Sequence, residues 1–270
     1  VVSPAYGQAK TLTRPEILDL YHRLCQEHQS LIVKSASLTF SAESVQSAQR
    51  EKLPSADGIL IVTRSGNLRL QIQLPMIKTT ALDVVAKQDQ FEIWYPRKQT
   101  LYRGKMGDER IELPPMEAEE GAKAPRYNLS RLRPWHITQT FFLEAPGGDP
   151  TVLITQEDTA AERYYVLHIL SPGADGTPFI VQKLWLERAG LTVRKKVLFT
   201  EDGAPVSEIT YQGYTDFPGG RFPADITLRR PIEGYQVQFK IKRMELDAPL
   251  QDRMFELTVP EGAKIEEIHP

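Results

Sequence analysis

Apolar and polar residues alternate in Leu68-Arg69-Leu70-Gln71-Ile72-Gln73-Leu74, with every even position apolar and every odd one polar. A period of two gives a strand with one dry and one wet face. Residues 58–102 hold four such short strands separated by little more than turns, the first turn being Ser65-Gly66-Asn67. Connections this short make successive strands pair in sequence order, which predicts an antiparallel sheet with one solvated side. The same alternation returns in Tyr235-Gln236-Val237-Gln238-Phe239-Lys240-Ile241, and strand patterns fill residues 151–246 between turns such as Pro172-Gly173, Glu201-Asp202-Gly203 and Pro218-Gly219-Gly220.

Two segments read as helices. Thr13 and Glu16 have capping-box spacing, with Pro15 in the first turn. Ile17, Leu20, Tyr21, Leu24, Cys25 and His28 then form an apolar stripe, with His28 expected to be structural in the last turn. The second helix opens at Pro134 and carries Trp135, Ile137, Thr138, Phe141 and Phe142. Before it, residues 104–134 break all periodicity and contain Pro114, Pro115, Pro125 and the acids Glu117, Glu119 and Glu120. A loop of that length is expected to be a lid, a binding loop or disordered. The expected fold is mainly β: an unclosed antiparallel barrel of about eleven strands with a helical cover. Residues 1–12 are expected to form a polar tether and residues 13–270 one domain, with residues 104–134 as the long loop.

Composition narrows the class. The chain has 270 residues, 41% hydrophobic and 25% charged, with a formal net charge of −2, so it lacks the basic footprint of a nucleic-acid binder. Arg194-Lys195-Lys196 reads as a solvated strand face. No apolar run approaches the ~20 residues of a membrane helix. The single cysteine, Cys25, excludes a disulfide framework and is expected in the core. The five histidines, His22, His28, His136, His168 and His269, show no metal-ligand spacing, and neither a Gly-x-Ser-x-Gly elbow nor a phosphate-cradling loop occurs. Glu261, Glu266 and Glu267 read as solvated surface. The sequence therefore offers no catalytic residue, metal site or cofactor, and a non-enzymatic role is expected.

A further ordered series of segments runs nearly the length of the chain. An N-terminal helix runs into Val33-Lys34-Ser35-Ala36-Ser37-Leu38-Thr39-Phe40, followed by Gly58-Ile59-Leu60-Ile61-Val62-Thr63-Arg64 and Phe91-Glu92-Ile93-Trp94-Tyr95-Pro96. The series closes with Ile209-Thr210-Tyr211-Gln212-Gly213-Tyr214, Phe222-Pro223-Ala224-Asp225 and Phe255-Glu256-Leu257-Thr258-Val259-Pro260. In order and spacing this series resembles the LolA/LolB superfamily of lipoprotein carriers and receptors, and the resemblance implies a divergent relative that holds a lipid or lipoprotein acyl chain in an apolar barrel mouth, for transport or outer-membrane sorting. The expected acyl-binding residues are Leu68, Leu70, Ile72, Leu74, Phe91, Ile93, Leu101, Trp135 and Phe142; for each of them plain core packing is the alternative. Arg64 is the candidate lid latch, with an ordinary hairpin arginine as the alternative, and Ser65 follows it where the carriers have proline. The expected location is the bacterial periplasm or the outer membrane after signal-peptide removal, anchored by an acylated cysteine upstream of Val1. Another envelope protein is an expected partner. A periplasmic sensor or interaction scaffold with a filled cavity is the rival reading.

Overall fold

The computed structural model describes residues 9–43, 50–52, 55–73, 79–106, 133–145, 147 and 150–268. Along them lie α1 (Arg14–Leu24), β1 (Ser30–Glu43), β2 (Arg50–Lys52), β3 (Ala56–Thr63), β4 (Leu68–Gln73), β5 (Thr80–Lys87), β6 (Gln90–Tyr95), β7 (Thr100–Lys105), α2 (Pro134–Phe141), β8 (Thr151–Asp158), β9 (Arg163–Pro172), β10 (Pro178–Glu187), β11 (Thr192–Phe199), β12 (Pro205–Phe217), β13 (Gly220–Arg230), β14 (Tyr235–Leu246) and β15 (Lys264–Glu267). The fold is mainly β, with a mixed sheet whose strand order does not close on itself. Two expectations are corrected here. The described residues hold fifteen strands rather than about eleven, and β15 runs parallel to β7, so the sheet is not purely antiparallel. Two of the strands beyond that count, β2 and β15, are three and four residues long and mostly polar, which leaves them no hydrophobic period.

The chain forms two compact units. The first comprises Val1–Glu27, Leu143–Gly213 and Ile226–Gly234; the second comprises His28–Phe142, Tyr214–Asp225 and Tyr235–Pro270. In the first, β8 to β12 pair in sequence order, and Leu167, Ile169, Leu184, Leu186 and Ile209 have no exposed surface. The expected capping box starts α1: the Thr13 backbone N–H donates to Glu16 Oε2 at 2.7 Å. This helix buries Ile17, Leu20 and Tyr21, and Cys25 behind it is buried as expected. It ends at Leu24, so His28 does not occupy its last turn.

Of the tether expected over residues 1–12, residues 1–8 lie outside the described residues, and residues 10–12 are fixed to the first unit. The Tyr165 hydroxyl donates to the Lys10 carbonyl at 2.9 Å and accepts from the Leu12 N–H at 2.7 Å. The Arg188 guanidinium stacks 4.9 Å from the centre of the Tyr165 ring and donates through Nε to the same Lys10 carbonyl at 3.2 Å.

The second unit carries the order β15-β7-β6-β5-β4-β3-β1-β14. The Ser65-Gly66-Asn67 turn joins β3 to β4 as predicted, with Gly66 in the left-handed region at φ 94°. Strand β5 buries five consecutive residues, Leu82 to Ala86, so both its faces are covered. On one face Arg69 and Gln71 hold the buried Asp83 carboxylate, at 2.9 Å from Arg69 Nη2 and 3.2 Å from Gln71 Nε2. Arg69 Nη1 also donates to the carbonyl of Met254, in the 3₁₀ turn Asp252–Phe255 that crosses this face. The other face is apolar and carries α2.

Candidate functional site

The apolar face of the second unit is built by register. Residues opposite one another in an antiparallel pair share a face. Val62, Leu68, Ala86 and Phe91 form one row, and Leu60, Leu70, Val84 and Ile93 form the next. Ile72 and Leu82 continue it. Leu38, paired with Phe239, belongs to the same face: a Cβ built on Gly58, which pairs with Ile72, would stand 2.1 Å from Leu38 Cδ1. Only glycine leaves room for that leucine.

Helix α2 lies on this face. Phe141 meets the Phe239 ring edge-to-face at 5.2 Å, and His136 Nδ1 is 2.6 Å from the Tyr235 hydroxyl. Thr140 closes the turn by donating to the His136 carbonyl at 2.6 Å. An eight-residue helix is too short to persist by itself, so these contacts hold it. At its end, Phe142 lies beneath the Arg64 guanidinium, 4.9 Å from carbon to ring centre. Arg64 Nε donates to the His28 carbonyl at 2.8 Å. The hairpin arginine thus joins the end of α2 to the start of β1.

His28 is buried. Its Nδ1 lies 2.8 Å from Asp247 Oδ2, and its ring meets Phe222 edge-on at 6.0 Å. Asp247 also accepts from the Gln29 and Ser30 N–H groups at 2.6 and 3.1 Å. Burial pushes the Asp247 carboxyl up, but the bonds from His28, Gln29 and Ser30 outweigh it and hold the group below its ordinary value.

Of the residues expected to bind an acyl chain, Leu68, Leu70, Ile72, Phe91 and Ile93 share the α2 face, and each is at most 4% exposed. Phe142 closes the end of α2 and is also buried. Trp135 is half-buried, because the dry side of α2 consists of Pro134, His136, Ile137, Thr138, Thr140 and Phe141. Leu101 is not with the others: it pairs with Trp94, which pairs with Asp83, and so lies on the opposite face. Leu74 and most of the expected lid, residues 107–132, lie outside the described residues. Sequence reasoning passed over His136, Tyr235 and Phe239; only the alternation of β14 hinted at the last two.

The remaining histidines are dispersed. His168 Nε2 lies 2.9 Å from the Thr155 hydroxyl, and burial together with nearby Lys183 lowers its proton affinity. His22 lies beside the Tyr21 ring, and His269 lies outside the described residues. Among the described residues no cluster of histidine, cysteine or carboxylate groups has metal-binding geometry, and no helix is long and apolar enough to cross a membrane.

Comparison with known proteins establishes the fold. A LolA superfamily protein from Nitrosomonas europaea aligns over 92% of this chain and 99% of its own, with a TM-score of 0.50 and 14% identity. A DUF1329 family protein from Desulfovibrio piger aligns over 91% and 98%, with a TM-score of 0.52 and 13% identity. A domain from Vibrio parahaemolyticus, provisionally described as outer membrane lipoprotein-sorting, aligns over 89% and 94%, with a TM-score of 0.51 and 14% identity. A family model described only as that of an uncharacterized protein matches residues 146–259. None of the curated proteins matches the sequence. The chain has the LolA-like fold, at a sequence distance that marks it as divergent.

Proposed function

We propose that the second unit binds the acyl chain of a lipid or lipoprotein between α2 and the apolar sheet face, as a non-enzymatic step of lipid transport or lipoprotein sorting in the bacterial cell envelope. The observation that carries this reading is a short helix laid on a continuous apolar face. Lifting α2 by a few ångströms opens Phe239, Leu70 and Val84 to a chain that replaces the helix's own apolar contacts. Each methylene so buried contributes about 0.8 kcal/mol, so a long acyl chain contributes on the order of 10 kcal/mol, enough to offset displacement of the helix.

Arg64 acts in this reading as the latch, because it engages Phe142 at the end of α2. The LolA superfamily and lipoprotein-sorting likenesses support a periplasmic or outer-membrane location. Purified protein extracted with organic solvent is expected to release a lipid detectable by mass spectrometry. Absence of lipid, together with failure of the stripped protein to bind a fluorescent fatty acid, would overturn the proposal.

A further inference from the structure

A second candidate site lies wholly within the first unit. Strands β8 to β12 frame a cavity of about 430 Å³, and its wall includes Trp185, Tyr164, Glu157, Glu162, Arg194 and Lys195. That volume lies in the range of small-molecule sites. Strict alternation would send Arg194 and Lys195 to opposite faces of the sheet. It does not, because Trp185 pairs with Lys195 while Leu186 pairs with Val193, leaving Arg194 as the extra residue of a bulge. Bulges re-aim side chains in this way, and here two consecutive cations line one cavity.

The chemistry of the wall selects the ligand. Glu157 Oε2 accepts from Trp185 Nε1 at 2.9 Å. Glu162 accepts from the Tyr164 hydroxyl and pairs with Arg194 Nη2 at 3.4 Å. The Lys195 ammonium lies 5.2 Å from the Trp185 ring centre and 3.9 Å from Glu208 Oε2. The two acids and two bases on the wall balance, and each already has a partner. An anionic ligand would have to break the Arg194–Glu162 or Lys195–Glu208 pair, a cationic one would compete with the indole for Glu157, and an apolar one would strand several polar groups. An uncharged ligand with many hydroxyls, each both donor and acceptor, can join this network and keep its ion pairs, with a C–H face taking the place of the Lys195 ammonium over the indole. The bonds to Glu157 and Glu162 fix the two aromatic side chains beforehand, which lowers the cost of binding.

We propose that this cavity is a binding site for an uncharged sugar of one or two rings. The site is independent of the acyl-chain reading and uses a different unit. The test titrates the whole chain with glucose, maltose, cellobiose and N,N′-diacetylchitobiose, followed by tryptophan fluorescence and calorimetry. At least one disaccharide is expected to bind saturably, with Kd at or below about 1 mM. Trp185→Ala is expected to weaken it about tenfold, and Trp185→Phe less, in keeping with the value of an aromatic stacking contact. Gln212, an exposed lining residue, supplies a second variant that leaves the core untouched: Gln212→Ala should weaken binding a few-fold with the melting temperature unchanged. Three results would overturn the proposal: no saturable binding by any of the four sugars, undiminished binding in both Trp185→Ala and Gln212→Ala, or tighter binding of glucuronic acid than of glucose.

Discussion

The Arg64 guanidinium stacks 4.9 Å from the centre of the Phe142 ring, tying a hairpin turn to the residue that ends α2. The same side chain donates to the His28 carbonyl, so its truncation removes a cation–π contact and a charge-assisted hydrogen bond together. Arg64→Ala is expected to cost about 1–2 kcal/mol, measured by urea unfolding. It should also raise the on-rate for a fluorescent fatty acid, since the end of α2 is released. Arg64→Lys, which keeps the charge but loses the planar stack, should fall between wild type and alanine.

Trp135 and Phe142 separate stability from binding. Phe142 is buried, and Phe142→Ala is expected to cost about 3–5 kcal/mol through the cavity it leaves. Trp135 is half-buried, and its replacement by alanine should cost under about 1 kcal/mol while lowering affinity for an acyl chain. Paired denaturation and fatty-acid titrations check both. A Trp135→Ala protein with full affinity would remove this residue from the site.

The buried bond between His136 and Tyr235 attaches α2 to β14. Tyr235→Phe is expected to destabilise by about 1–3 kcal/mol. Hydrogen exchange should report faster opening of residues 134–141, with β5 and β6 unchanged.

Asp247 gives the fold an acid-sensitive joint. Its carboxyl holds its proton less tightly in the folded chain than in the unfolded one, so the unfolded state takes up the proton first as pH falls. The stabilisation is therefore complete above the unfolded value of about 3.9 and is lost as pH drops through the lower folded value. Asp247→Asn should flatten the stability profile of the wild type in that acid window, as read from denaturation midpoints measured between neutral pH and acid.

Local signals carried much of this fold and less of the site. The period-two run in β4, the Thr13–Glu16 cap, the Gly66 turn and Pro134 at the start of α2 are each set within a few residues, and each is visible in the sequence. Register is not local. Leu101, expected beside Phe91 and Ile93, lies on the opposite face because the 3₁₀ turn Pro96–Lys98, with Gln99 in the left-handed region, pairs it with Trp94. A one-residue difference in register changes the face. The partners of His28 and His136 are 219 and 99 residues away, beyond any spacing rule. The basic run 194–196 reads as a solvated face, yet Lys196 is 2% exposed and Arg194 sits in a bulge, which nothing in the residue types announces.

The most direct test of the central claim is photo-crosslinking of a diazirine-bearing fatty acid to the stripped protein, with the labelled peptides mapped by mass spectrometry. The account predicts saturable labelling in residues 134–142 and in β3 to β6 of the second unit, competed by unlabelled fatty acid and reduced in Trp135→Ala. Labelling confined to residues 151–213, or none that competitor removes, would contradict it.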